Sequence, residues 1–277
     1  MPFGRYKGVI FMKRIIALLM AVLMLCCFAA CGGEDKNGVE EKTIVVVYKI
    51  YEPMNYFDED GKLIGFDTEL AEKVFGNLGY KVLFQEIVWD SRYTDLESGA
   101  IDCIWNGFTC NTADSDGVLR SEKVDFSYNY MENRQVVVVK NDSGITSADD
   151  LQGKLGVAES GSAGEGYAEG FEGTNFKGFT KQTDCLFEVN AGTADFAVLD
   201  EQLAKSYAGK GDYANLTIVD ALTSDLEYYA IGFEKGSDLT AKVNAELEKL
   251  GADGTIASIG EKYGVAHTVI TDFADQK

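Results

Sequence analysis

The chain has 277 residues, enough for about two domains of roughly 150 residues each, which excludes a disulfide-stapled miniprotein. Hydrophobic residues make up 46%, aromatics 12% and charged residues 25%, so neither wholesale disorder nor a multi-span membrane protein fits. Lys and Arg number 25 against 45 Asp and Glu, a net of −20 with no long basic run, which argues against nucleic acid as a partner.

Arg5, Lys7, Lys13 and Arg14 precede an apolar run from Ile15 to Leu25, too short for a permanent membrane span but suited to the core of a signal peptide. Residues 1–30 are therefore set aside from fold reasoning, with Met12 the more usual start. Phe28-Ala29-Ala30-Cys31-Gly32 resembles a bacterial lipobox, which makes Cys31 the expected lipidation site and residues 31–42 a polar tether. Removing 1–30 leaves 21 cations against 45 acids, a net of −24, so a lipid at Cys31 rather than surface charge would hold the protein to a membrane.

Beyond the tether, Thr43 to Tyr48 is a β-branched run suited to a strand buried on both faces of a parallel sheet. Asp67 is expected to cap a helix with Leu70, Ala71, Val74, Phe75 and Leu78 on one face, closed by Gly79. A strand over 80–88, a helix over 93–98 and a strand over 101–105 complete a first α/β unit with right-handed crossovers. The pattern restarts with strands over 135–140 and 154–158, helices over 163–171 and 184–190, a buried strand over 196–199 and a helix from Glu201. A strand over 229–233 and two amphipathic helices follow, one carrying Leu239, Val243, Leu247 and Leu250, the other Ile256, Ile259 and Tyr263.

Catalytic and metal chemistry finds little support. His267 is the only histidine and falls after the last helix, so histidine triads are absent and a zinc site is not expected. Of the cysteines left after residue 31, Cys103, Cys110 and Cys185 match no zinc spacing and read as small buried residues, with a Cys103–Cys110 bridge as an alternative. Gly161-Ser162-Ala163-Gly164-Glu165-Gly166 follows a strand and opens a helix, but lacks G-x-G-x-x-G spacing and any Lys-Ser pair. Two readings of it stay open: an ordinary turn, or free N–H groups at a helix start that accept a carboxylate. Neither cofactor nor metal is expected.

Five ordered blocks between residues 43 and 264 carry a resemblance. Tyr51-Glu52-Pro53-Met54-Asn55-Tyr56 leads to Asp60-Gly61-Lys62 and Gly65-Phe66-Asp67; Gly99-Ala100-Ile101-Asp102 runs on through Asn106-Gly107-Phe108-Thr109 to Arg120 and Phe126-Ser127. Leu151-Gln152-Gly153-Lys154 precedes Gly161-Ser162, Ala191-Gly192-Thr193-Ala194-Asp195 runs to Asp200, and Gly232-Phe233 opens a closing block that ends at Lys262-Tyr263-Gly264. In these blocks the chain resembles the solute-binding proteins of polar amino-acid ABC importers. The resemblance implies a type II periplasmic-binding-protein-like fold: two α/β lobes joined by a two-strand hinge. Lobe one would be residues 43–132 plus 227–264 and lobe two 136–222, with hinge crossings at 133–135 and 223–226 and a tail over 265–277.

Carried over by position, the resemblance implies that Arg120 grips a ligand α-carboxylate, with the Thr109 hydroxyl, the Gly107 N–H and the polar Asn106 adding to the shell. Gly161, Ser162 and Ala163 would close on the same carboxylate from lobe two. Asp200 would receive the ligand ammonium, and could also cap the helix at Glu201. Tyr51 and Trp89 would wall the side-chain pocket, where Glu159 is a solvated acid or reads a polar or basic side chain. The stretch from Asn111 to Leu119 departs from the family in being longer than its usual link to the arginine. The function implied is that of an exported, lipid-anchored, monomeric receptor that captures a free amino acid and hands it to an ABC permease. A cyclohexadienyl-dehydratase-like enzyme on the same fold and a ligand-sensing partner of a membrane receptor remain alternatives.

Overall fold

Residues 42–276 are described by the computed structural model, so the expectations for the signal peptide, Cys31 and the tether up to residue 41 lie outside the described residues. In the first lobe, Lys42–Tyr48 pairs in parallel with Tyr80–Glu86 over its whole length, Val46 opposite Phe84. The helix Phe66–Asn77 crosses between them with Leu70, Ala71, Val74 and Phe75 buried, each such side chain contributing roughly 1–3 kcal/mol, less for Ala. Its N-cap is Gly65 rather than Asp67, whose side chain turns inward instead of capping. Gly65 holds φ 130° directly against the Met54 carbonyl, where a Cβ would sit 2.1 Å from the oxygen.

The chain then returns to this lobe from its far end. The helices Leu239–Ala252 and Thr255–Lys262 pack on Phe66–Asn77, tied to it by Asn77 Nδ2 to Glu246 Oε1 at 2.6 Å and Lys262 to Glu69 at 2.5 Å. The expected strand over 101–105 is reduced to single bridges, Val46 with Cys103 and Ile104 with Gly232. The expected strand over 229–233 is two short pieces: Glu227–Tyr229 pairs with Met131–Asn133, and Gly232–Phe233 with Asp125–Phe126. Between them the partner changes, Ala230 N donating to Phe108 O and Ile231 O accepting from Ser127 N.

The second lobe is one five-stranded sheet in the order 216–223, 135–140, 196–200, 155–159, 175–179. Phe196–Asp200, Leu155–Glu159 and Asn175–Phe179 run parallel, while Gln135–Lys140 runs antiparallel to its neighbours. Val136, Val137, Val138 and Val139 are all buried, as a strand covered on both faces requires. The helices Ala163–Glu169 and Gln182–Ala191 step out from Leu155–Glu159 to the edge and back past it, a reversal that leaves a crevice at the carboxyl ends of the strands. Glu159 and Asp200 end two of those strands, and Thr180 follows the third.

Two chain segments cross between the lobes side by side. Met131–Asn133 pairs with Glu227–Tyr229, and Gln135 exchanges bonds with Ser224, its N–H donating to Ser224 Oγ at 2.8 Å and its carbonyl accepting from Ser224 N at 2.9 Å. Among the described residues no helix is long and apolar enough to cross a membrane. Cys103, Cys110 and Cys185 are free thiols; Cys103 and Cys185 are buried and Cys110 half-buried.

Candidate functional site

The carboxyl ends of the strands in both lobes face one another across a cavity of about 20 Å³, room for roughly one water. From the first lobe it is lined by Lys49, Ile50, Tyr51, Trp89, Asn106, Gly107, Thr109 and Arg120; from the second by Glu159, Ser162, Ala163, Gln182 and Asp200. The lobes touch directly around it. Lys49 pairs with Glu159 and donates to Thr180 O, Arg120 Nη2 donates to Gly161 O at 3.1 Å, and Lys181 reaches Glu86 at 3.1 Å.

Arg120 opens a single helical turn and is almost wholly buried. The long stretch before it folds back on itself: Ala113 bridges Leu119, Asp114 N donates to Val118 O, and Arg120 N donates to Thr112 O. That hairpin delivers Asp114, whose Oδ1 accepts from Arg120 Nε at 2.8 Å and from Arg92 Nη2 at 2.7 Å, while Oδ2 accepts from Lys123 at 2.9 Å and from the Tyr93 hydroxyl. Burial would raise the Asp114 carboxyl, but Arg120, Lys123 and Arg92 together hold it down to about 2. Lys123 is shared with Asp116, and the two buried guanidiniums outnumber the one carboxylate between them. Arg120 Nη1 donates to Thr109 O and Nη2 to Gly161 O, so among the described residues three of the five guanidinium N–H donors are engaged and one on each terminal nitrogen is left for a bidentate anion.

Asp200 is the opposite pole. Strand register sets it across from Gln135, whose Nε2 donates to Oδ1 at 2.6 Å; Asn133 Nδ2 adds a bond at 2.9 Å and Gln182 Nε2 reaches Oδ2 at 2.5 Å. Gln182 Oε1 also accepts from the Asp200 main-chain N–H. These neutral donors hold the carboxylate, yet no cation pairs with it among the described residues. Burial therefore raises its pKa despite the bonds that oppose the rise. Asp200 sits at the N-cap position of Glu201–Tyr207 but makes no side-chain cap bond, because its oxygens are turned to these amides. Glu227 shares the same donors, accepting from Gln135 at 2.9 Å, and its pKa is also raised, by burial and then by Asp200.

Several expected contacts are committed elsewhere. The Gly107 N–H donates to Asp67 Oδ2 at 3.0 Å, so it is engaged before any ligand arrives; burial lifts that Asp67 carboxyl to about 7. The Thr109 hydroxyl donates to Glu227 Oε2 at 3.2 Å. At the start of Ala163–Glu169 the Gly161 N–H is taken by Glu165 Oε2 and the Ser162 N–H by Glu159 O, while Ser162 Oγ accepts from Glu165 N. Gly161 reaches the cleft through its carbonyl, on Arg120, and Ser162 and Ala163 line the wall. Asn106 Nδ2 donates to Asn55 Oδ1 at 2.5 Å.

Tyr51 and Trp89 both lie on the cavity wall. The Tyr51 hydroxyl bonds the Tyr229 hydroxyl at 2.7 Å, and the Trp89 ring packs edge-on to Phe108 at 5.5 Å with the Arg92 guanidinium 5.1 Å from its own centre. Glu159 is not a solvated acid: the strand runs one residue further than expected and buries it against Lys49, with its carboxyl lifted by burial to about 7. Lys49, Ile50 and Gln182 were not singled out from sequence. A lysine following a strand carries no local signal of burial, and Gln182 reaches Asp200 only because the start of the helix Gln182–Ala191 packs against the end of the strand Phe196–Asp200.

The family model for bacterial extracellular solute-binding proteins, family 3, matches residues 43–266. The arginine-binding extracellular protein ArtP of Bacillus subtilis (strain 168) is 28% identical over 259 residues, covering 91% of this chain and 98% of its own. The L-cystine-binding protein TcyA of the same organism is 29% identical over 270 residues, covering 91% and 97%. Among solved structures, an ancestral arginine-binding protein bound to arginine is 34% identical with TM-score 0.72, covering 80% of this chain and 97% of its own. A substrate-binding protein of an ABC uptake transporter from Streptococcus pneumoniae with bound histidine is 30% identical with TM-score 0.69, covering 80% and 92%. These relatives are substrate-binding proteins, not enzymes.

Proposed function

Because the chain belongs to the bacterial extracellular solute-binding proteins, family 3, we propose that its cleft captures a free amino acid between the two lobes and that the loaded protein delivers it to an ABC importer permease. One observation carries this reading: among the described residues, Arg120 keeps an open N–H on each terminal nitrogen and Asp200 is a buried carboxylate with no cation partner, and the two line the same cavity from opposite lobes. A zwitterion supplies what each lacks, a carboxylate for Arg120 and an ammonium for Asp200. A ligand that touches both lobes only when they meet shifts the hinge equilibrium toward closure, and the paired crossings at Gln135 and Ser224 suit such a bend.

Thr109 and Gly107 support the arginine and the wall with their main chains, Asn106 and Tyr51 complete the first-lobe wall with Trp89, and Ser162 and Ala163 close it from the second lobe. Attachment outside the cell through a lipid on Cys31, and action as a monomer, complete the proposal.

The test is a thermal-shift and calorimetric screen of residues 32–277 against the common L-amino acids. A binder at about 100 times its Kd adds roughly 2.7 kcal/mol of stability. A clear hit that disappears in both Arg120→Lys and Asp200→Asn supports the zwitterion clamp; no response to any amino acid overturns it.

A further inference from the structure

We propose that Lys49 selects the cargo: its ammonium holds, from within the chain, the place that a cationic ligand side chain would take, so the cleft accepts neutral amino acids and turns away arginine and lysine. This rests on the assignment of Arg120 and Asp200 to the ligand's α-carboxylate and ammonium.

Four charged side chains line the cavity, two cations and two acids. With Arg120 and Asp200 given to the ligand's backbone groups, Lys49 and Glu159 remain to meet its side chain. Glu159 is the one acid left that could receive a guanidinium or ammonium, and it is already paired with Lys49, both side chains being only 6% and 7% exposed. Lys49 also donates to the Thr180 carbonyl, which anchors the ammonium on the second lobe. An incoming cation would find its carboxylate engaged and would face a like charge in a site closed to water. An anionic side chain could reach Lys49 only by drawing it off Glu159, leaving that carboxylate buried and unpaired. The remaining wall on this side, Ile50, Tyr51, Trp89 and Asn106, is uncharged and suits a neutral side chain.

Calorimetry on residues 32–277 with neutral L-amino acids and with L-arginine and L-lysine tests this. The wild type is expected to bind at least one neutral amino acid roughly 100-fold or more tighter than arginine. Lys49→Ala frees Glu159 and is expected to gain arginine or lysine binding by tenfold or more, whereas the double variant Lys49→Ala with Glu159→Gln is expected to gain none. Lys49→Gln, which keeps most of the volume and loses the charge, is expected to shift the preference the same way and guards against a folding defect in the alanine variant. Arginine or lysine bound by the wild type as tightly as any neutral amino acid overturns the role of Lys49 alone, as do Lys49 variants with unchanged selectivity. Failure to bind any amino acid overturns the zwitterion clamp, and this inference with it.

Discussion

Asp114 Oδ1 lies 2.8 Å from Arg120 Nε, and the residue that makes this contact comes from the stretch between Asn111 and Leu119 that precedes the arginine. That stretch is a small hairpin closed by Asp114 N to Val118 O, and it brings a carboxylate to the back of the guanidinium. With Nε fixed, the terminal nitrogens of Arg120 point toward the cleft. Asp114 also offsets the charge of Arg92, which is itself buried. Asp114→Ala should therefore weaken ligand binding by about tenfold or more and destabilise the fold by roughly 3–5 kcal/mol, since it strips buried cations of their partner. A double-mutant cycle with Arg120→Lys, read in Kd, should show strong coupling, which a purely structural role would not produce.

The same carboxylate predicts an acid limit. Its folded pKa is about 2 against an ordinary 3.8, so the unfolded chain takes up a proton first, and the stability Asp114 gives is present above about pH 4 and lost as pH falls toward 2. Urea unfolding between pH 2 and 5 should show that loss in the wild type and much less of it in Asp114→Asn.

Glu159 and Asp67 act with the opposite sign in a different window. Both carboxyls are lifted to about 7, from ordinary values of 4.5 and 3.8. Between those limits the folded chain keeps protons that the unfolded chain has released, so stability falls as pH rises from about 4 to about 7. The effect should reach roughly 3 kcal/mol for Glu159 and roughly 4 kcal/mol for Asp67 at most. Melting temperature measured across this range should decline in the wild type, and Glu159→Gln or Asp67→Asn should each flatten part of the slope.

In the proposed clamp, Asp200 should couple proton release to ligand capture. Its pKa in the free cleft is raised by burial, and a ligand ammonium set beside it favours the ionised form. Affinity should therefore fall as pH is lowered into the acid range, with protons released on binding. Calorimetry in buffers of differing ionisation enthalpy checks the release, and Asp200→Asn should cost roughly 2–5 kcal/mol of binding and abolish it.

Gly161 tests closure itself. It holds φ 73°, and a Cβ there would lie 3.0 Å from Arg92 Nη1 and 3.1 Å from Asp90 Oδ1 on the facing lobe. Gly161→Ala should raise the ligand Kd by up to about tenfold through a penalty on the closed form, in addition to a left-handed backbone cost of about 1–2 kcal/mol. Small-angle scattering with saturating ligand should show a larger radius than the wild type.

Much of this molecule is written locally. The β-branched run at Thr43 to Tyr48, the apolar face of Phe66–Asn77 and the spacing of Val243, Leu247 and Leu250 each declare an element within a dozen residues, because one buried face imposes its period on the chain. The family blocks likewise brought out Arg120 and Asp200. The short strands are different: Met131–Asn133 and Glu227–Tyr229 exist because each pairs with the other across nearly a hundred residues, and neither has a period to read. The charge state of the cleft is different again. Burial of Glu159, its capture by Lys49, the amide cradle of Gln135, Asn133 and Gln182 around Asp200, and the engagement of the Gly107 N–H all depend on groups distant in sequence. Sequence by itself determined the longer elements, through local periodicity, and through the ordered family motifs it named Arg120 and Asp200 as the proposed poles of the cleft. Tertiary structure alone decided which charges are already spent on one another, because desolvation and pairing belong to the assembled site and to no single stretch of chain.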